Sequence, residues 1–290
     1  MKNHFAFTDF IKRFPTQESC LEEIKRLRYP RGMYCRLCKR KRKFFKVKNR
    51  QAYSCPFLCC HIYPLKGTPM AKTKIPLQKW LYAIYLIAQT RSGVPAKVLE
   101  RHLGVTYKTA WRIGHKIREM MREEPLEKLN GIVEIDETYV GGAFWKNFRK
   151  NQMFGYDEKK AVMGMVERNG RAVLRYLPLG AGKISLMEQI EKYVSKDAVI
   201  YTDQLFAYRN LHKYGYKHDT VLHKKEFVRG DVYTQNVENV WSHLKRGITG
   251  VYRSVSKKHI QKYANEFEFR YSHRNRPKAM FSSLLSRVAQ

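Results

Sequence analysis

The sequence predicts an α+β multidomain fold, with a small cysteine-bearing module and a helical module ahead of a mixed α/β domain. Three observations carry that reading. Five of the six cysteines fall between Cys35 and Cys60, helical periodicity runs through residues 77–121, and short alternating apolar runs begin after Asn130-Gly131. With 290 residues the chain is long enough for two or three cores. The expected boundaries are a helical segment at 1–28, the cysteine module at 29–72, a helical module at 73–127, a mixed α/β domain at 128–255 and a helical extension at 256–290.

Charge narrows the partner. The 57 Lys and Arg against 25 Asp and Glu leave a formal +32, spread along the whole chain, so a polyanion is expected. A hydrophobic share of 43% with 13% aromatics excludes a disordered basic tail. Nucleic acid is therefore favoured over an anionic membrane surface. The start, MKNHFAFTDFIKRF, has no basic segment followed by an apolar one, and no window approaches the roughly 18 apolar residues of a membrane span. A cytoplasmic protein is expected, and in a reducing compartment clustered cysteines are metal ligands more often than disulfides.

Cys35 and Cys38 form a C-x-x-C turn that aims two thiolates at one tetrahedral ion, and a second group begins at Cys55. The spacing fits a four-cysteine zinc ribbon, with strands in residues 41–54 and Pro56 shaping the second turn. A regular repeat would put the fourth ligand at Leu58, which cannot bind metal. The expected set is Cys35, Cys38, Cys55 and Cys59, with Cys60 as the alternative and His61 a further option. Such a closed site holds structural zinc. The frame presents Arg36, Lys39, Arg40, Lys41, Arg42 and Lys43, which suit phosphate contact. Cys20 lies apart, in an amphipathic helix, and reads as packing.

Residues 77–90, LQKWLYAIYLIAQT, predict a strongly apolar helix. The following GVPAKVLERHLGVTYKTAWRIGHKIREMM keeps helical spacing on both sides of Gly104 and reads as a helix-turn-helix. Val98, Leu99 and Leu103 face inward, Gly104 permits the turn, and Thr106 caps a second helix. On that helix Tyr107, Lys108 and Arg112 lie outward, as on a recognition helix for the major groove. An ordinary pair of packed helices joined at a glycine gives a similar pattern.

Beyond residue 130 the alternating run IVEIDETYV is followed by AVMGMVERNGRAVLRYLPL, in which Asn169-Gly170 is a hairpin signal. Next come a helix in ISLMEQIEKYVS, a strand in DAVIYTD, a helix in LFAYRNLHKYG, a strand in KHDTVLH and a helix from about Thr234. The order βββαβαβα is that of the ribonuclease H-like fold. In that fold Asp136 of the first strand and Asp203 at the end of the fourth are neighbours, and Glu238 reaches in from the last helix. Glu134 and Glu137 are rivals for the first position. Three converging acids call for a cation, and hard oxygen ligands select Mg²⁺ or Mn²⁺, two of which can drive an in-line phosphoryl transfer. Lys245, seven residues after Glu238, falls on the same helix face. Taken singly, Asp203 reads as a helix cap and Glu238 as a solvated residue; their joint placement argues for a site.

The motifs VEIDETYVGG, YTDQLFAYRNL, RGDVYTQNVENVWSHLKRGITGVY and EFEFRYSHR, preceded by the cysteine ribbon and IPLQKWLYAIYLIAQTRSGVPAKVLERHLGVTYKTAW, resemble the DDE transposases of bacterial insertion sequences. The likeness is to the zinc-ribbon branch related to eukaryotic Merlin elements (ISXO2-like transposase domain) and covers nearly the whole chain. By that resemblance Asp136, Asp203 and Glu238 match the metal-binding triad and Lys245 the basic residue after the glutamate. The chain departs from the family at Leu58, where a second C-x-x-C is common. The resemblance implies binding of the element's terminal inverted repeats, phosphodiester hydrolysis at the element ends, attack of the freed 3′-hydroxyl on target DNA, and a homodimer or larger oligomer holding two ends together.

The expected function is therefore a DNA transposase, nucleoid-associated in a prokaryote. The first rival is a transposase-derived DNA-binding regulator without turnover, and the second a basic RNA-binding or RNA-cleaving protein. Arg149, Lys150, Lys159 and Lys160, between the first two strands of the α/β domain, are expected to meet DNA backbone. Arg270, Arg274 and Arg276 extend that surface or form a subunit contact.

Overall fold

The computed structural model describes residues 5–123, 127–141, 160–220 and 233–288. Arg149, Lys150 and Lys159 lie outside the described residues. Two compact units account for the chain, one made of residues 1–120 with 276–290 and the other of residues 121–275.

The first unit begins with α1 (Phe7–Arg13) and α2 (Gln17–Arg28). Thr16 caps α2, its hydroxyl accepting from the Ser19 amide at 3.1 Å. The cysteine module follows as a hairpin, β1 (Met33–Cys35) with β2 (Arg40–Arg42), and a small sheet of β3 (Phe45–Lys46), β4 (Tyr53–Ser54) and β5 (His61–Ile62). In α3 (Leu77–Gln89) the residues Leu77, Trp80, Leu81, Ile84, Ile87 and Ala88 recur at helical spacing and are all buried. The pair α4 (Ala96–Leu103) and α5 (Tyr107–Met120) has the expected turn: Gly104 takes φ 56°, open to glycine at little steric cost, and the Thr106 hydroxyl accepts from the Thr109 amide at 3.4 Å. Leu99 and Leu103 are buried as expected, whereas Val98 is only partly so. Cys20 is fully buried, and burial pushes its thiol up to about 11.

The second unit is a five-stranded sheet. Its strands are β6 (Ile132–Val140), β7 (Lys160–Glu167), β8 (Ala172–Tyr176), β9 (Val199–Thr202) and β10 (Lys217–Thr220), in the order β10-β9-β6-β7-β8. The strands β6, β7 and β8 form an antiparallel meander turned at Asn169 (φ 56°) and Gly170, and β9 and β10 add in parallel. This arrangement is the ribonuclease H-like fold that the element order predicts. The pleat sorts β7: Met163 and Met165 pack with Ile135 and Ile190 on the face covered by α6 (Lys183–Tyr193). Val162 and Val166 pack on the other face with Val240 and Leu244 of α7 (Gln235–Arg246) and Phe267 of α8 (Ile260–Ser272).

The expected helix in LFAYRNLHKYG is instead two 3₁₀ turns, Phe206–Tyr208 and Leu211–Tyr214. Tyr208 and Leu211, three residues apart, are its buried residues, while Leu205 stays exposed, and Gly215 at φ 79° ends the run. The residues 256–290, grouped from sequence as one extension, divide between the units. Helix α8 packs on β8 in the second unit, while α9 (Ala279–Arg287) packs on α3 in the first through Phe281, which meets the rings of Phe5 and Tyr85. Arg270 is not a surface residue: it is 7% exposed and bonded to Glu266 at 2.6 Å. Arg274 is likewise engaged, donating to the Gly170 carbonyl at 2.7 Å. Lys160 opens β7 with 2% exposure, so it does not offer its charge to a DNA backbone.

Candidate metal centres and carboxylate site

Five thiols meet in the cysteine module. The sulfurs of Cys35, Cys38, Cys55 and Cys59 all lie within 4.8 Å of one another, an arrangement able to hold one metal ion. The irregular spacing of the second pair is absorbed by the backbone: Leu58 turns to φ 52°, its amide donating to the Cys55 carbonyl at 2.8 Å, and Cys59 is brought back to the cluster. Cys60 touches the cluster from one side, 3.3 Å from the Cys35 sulfur. The Cys38 amide, donating to Cys35 Sγ at 3.3 Å, helps lower the Cys35 thiol to about 6. Cys38 and Cys60 are pushed up to about 12, Cys38 chiefly through its bonds to Cys59 and Cys35 and Cys60 chiefly by burial. Four clustered sulfurs, one already inclined to the thiolate, are the donor set that zinc takes.

Around this centre Arg36, Lys39 and Arg40 are exposed. So are Tyr107, Lys108 and Arg112, on one side of α5, while Ile113 and Ile117 are buried on the other.

In the second unit the acids are brought together by register. Ile135 of β6 pairs with Thr202 of β9 in parallel, so the next residues, Asp136 and Asp203, leave adjacent strands side by side. Helix α7 crosses β6 and β7, and its Trp241 donates the indole N–H to Asp136 Oδ2 at 2.8 Å. Glu238 lies one turn earlier on α7, exposed, and accepts from the Thr234 hydroxyl at 3.2 Å. Lys245 is exposed two turns further along. The Asp203 carboxylate accepts the Leu205 amide at 3.0 Å, which tightens the turn beyond β9.

The electrostatics show the acids acting on one another. Burial raises the Asp136 carboxyl and the negative charges of Asp203 and Glu238 raise it further, against the lowering pull of the Trp241 bond. Among the described residues no three carboxylates come within the mutual 4.8 Å that the sulfurs reach, so the acids are neighbours and not a closed cage. The donor chemistry nevertheless fits a hard divalent cation, because all three contribute carboxylate oxygens and their mutual repulsion is a cost that positive charge relieves.

The two rivals for the first position do other work. Glu134 is fully buried and accepts from Arg168 Nε, the Asn236 amide and Asn236 Nδ2, each at 2.8 Å, so it caps the start of α7. Glu137 points to the α6 side of the sheet and accepts from the Tyr208 hydroxyl; burial pushes it up to about 7. Sequence reading missed both partnerships, and missed Trp241. Trp241 was within reach, since its place one helical turn after Glu238 aims both at the same neighbourhood.

A family model described as ISXO2-like transposase domain matches residues 128–272, which hold the whole sheet, α7 and α8. The chain belongs to this family of transposases. Comparison with curated proteins finds no match. Among solved structures the transposase chain is similar to a chain of the simian T-cell lymphotropic virus intasome in complex with PP2A regulatory subunit B56 gamma, at 15% identity and a TM-score of 0.31. That alignment covers 64% of each chain, so just under two thirds of the intasome chain is spanned. It is also similar to the pre-cleavage Mos1 transpososome, at 9% identity and a TM-score of 0.29, over 72% of this chain and 79% of that one. The Mos1 strand transfer complex gives 10% identity, a TM-score of 0.29 and coverage of 72% and 78%. At these scores the fold assignment rests on the strand order. Among the described residues no helix is long and apolar enough to cross a membrane.

Proposed function

We propose that the chain is an active DNA transposase that binds the terminal inverted repeats of its element and catalyses metal-dependent strand cleavage and strand transfer. The observation that carries this reading is the register that sets Asp136 beside Asp203 under the helix bearing Glu238, in a chain of this family. Asp136, Asp203 and Glu238 would hold two Mg²⁺ or Mn²⁺ ions. When bound, such ions activate a nucleophile and stabilise a leaving oxygen. Lys245, on the same face of α7 as Glu238, holds a phosphate next to the acids and offsets their charge. Cleavage is hydrolysis of a phosphodiester at the element end, and joining is attack of the new 3′-hydroxyl on target DNA.

Repeat binding falls to the first unit, through Arg36, Lys39 and Arg40 of a ribbon built on one structural zinc, held by Cys35, Cys38, Cys55 and Cys59, and through Tyr107, Lys108 and Arg112 of α5. Arg149 and Lys150 contact backbone. The two ends are held by a homodimer or a larger oligomer. The working location is the nucleoid of a prokaryotic cytoplasm.

A labelled duplex carrying the terminal repeat, incubated with Mg²⁺, tests this. The intact protein is expected to nick it and Asp203→Asn to bind without nicking. Cleavage that persists in the variant refutes the assignment, and retarded but uncut DNA with both proteins identifies a DNA-binding regulator instead.

A further inference from the structure

Trp241 is 5% exposed, and its indole nitrogen is a donor with no accepting capacity. Its acceptor is the Asp136 carboxylate, at 2.8 Å. The residue paired with Asp136 across the β6–β7 ladder is Gly164, which faces the six-membered ring of the same indole. A Cβ at position 164 would sit 2.6 Å from Trp241 Cη2 and 2.7 Å from Cζ2, closer than real atoms approach. Gly164 is not among the residues with positive φ, so its backbone does not call for glycine. Glycine in the middle of a strand marks a close approach, and here the indole makes it.

From these contacts we infer that Trp241 is a positioning residue of the carboxylate site, fixing the Asp136 carboxylate, and that Gly164 is glycine so that the indole can reach it. The inference rests on the proposed metal-dependent activity. Two residues of β6 hold helix α7: Glu134 accepts the Asn236 amide at 2.8 Å, among other bonds, and Asp136 accepts the Trp241 indole. One helix therefore carries both Glu238 and the group that orients Asp136, which fixes Glu238 against Asp136. Groups that hold a metal-binding carboxylate in place typically matter by about 10–100-fold in metal affinity.

The test is Mn²⁺ binding to the full-length protein by calorimetry, together with the indole N–H resonances of the metal-free protein. Trp241→Phe keeps the ring and loses the donor; it is expected to weaken Mn²⁺ binding about 10-fold while cleavage recovers at saturating Mn²⁺. Gly164→Ala, which removes no functional group, is expected to weaken binding in the same sense by displacing the ring. Asp136→Ala is expected to shift one indole N–H resonance, the one absent from Trp241→Phe. An unchanged Mn²⁺ isotherm in both Trp241→Phe and Gly164→Ala, in proteins that remain folded, overturns the inference and leaves the transposase reading standing. Absence of Asp136-dependent Mn²⁺ binding in the unsubstituted protein overturns both.

Discussion

Replacing Glu134 should cost stability, and replacing Asp136 should cost activity, although the two lie two residues apart on one strand face. Glu134 is fully buried and takes three hydrogen bonds at 2.8 Å and a fourth from the Val237 amide at 3.3 Å. In Glu134→Ala the Arg168 guanidinium, with a side chain only 12% exposed, keeps the Tyr233 carbonyl but loses its counter-charge, and the first amides of α7 lose their acceptor. Breaking a buried pair of this kind costs about 3–5 kcal/mol. For a unit of 155 residues, counted from 121 to 275, that is a fall in Tm of about 6–20 °C. Asp136→Asn keeps an acceptor for Trp241 and removes a charge that burial disfavours, so its transition should stay within about 1 kcal/mol of the parent while cleavage disappears. Calorimetry of the intact chain without Mg²⁺ or Mn²⁺, paired with the nicking assay, reads both. A Glu134→Ala protein melting within about 2 °C of the parent would refute the buried-pair account.

Three further outcomes follow from the same geometry. Cys59→Ser should lose bound zinc, read by a colorimetric chelator after denaturation, while Cys60→Ser retains it, because Cys59 and not Cys60 belongs to the four mutually close sulfurs. Gly247→Ala would put a Cβ 2.0 Å from Phe267 Cζ, and overpacking at that π-helical turn should cost about 1–3 kcal/mol in urea denaturation. Burial lifts the Glu268 carboxyl from 4.5 to about 7 despite its 2.6 Å pairing with Arg175, so the folded state holds that proton more tightly than the unfolded chain. The stability it contributes is complete below about pH 4.5 and is lost as pH climbs through 7, at most about 3 kcal/mol; Glu268→Gln should flatten that part of the pH profile.

The periodic parts of the fold were legible in the sequence, and the tertiary partnerships were not. Alternation fixed β6 from Ile132 to Val140, Asn169-Gly170 announced the hairpin, and Gly104 with Thr106 announced the turn before α5, because each rests on a local backbone preference. The helix expected after Asp203 is broken into two 3₁₀ turns, and Gly215 at φ 79° stops the second. Arg270 and Lys160 read as surface charge in sequence because a single sequence does not show burial: one finds Glu266 a helical turn away, and the other begins a central strand. The rivalry among Glu134, Asp136 and Glu137 could not be decided by spacing. It turns on Arg168, Trp241 and Tyr208, which come from elsewhere in the chain.

The charge of the protein and the charge of the site pull in opposite directions, and the difference orders the events. A formal +32 draws a DNA backbone toward the chain from a distance, through a term that is insensitive to sequence. Close to Asp136, Asp203 and Glu238 a phosphate meets three carboxylates that already raise the pKa of one of their own. General attraction therefore brings DNA to the surface but does not seat a phosphodiester among the acids. On the proposed function, seating it requires positive charge at the site itself, which Lys245 and a divalent cation would supply. By linkage, whatever cation affinity the DNA adds, the cation returns as affinity for the phosphate. On the proposed function, a strongly basic protein with an acidic reaction centre would hold DNA widely and still confine cutting to a metal-loaded site.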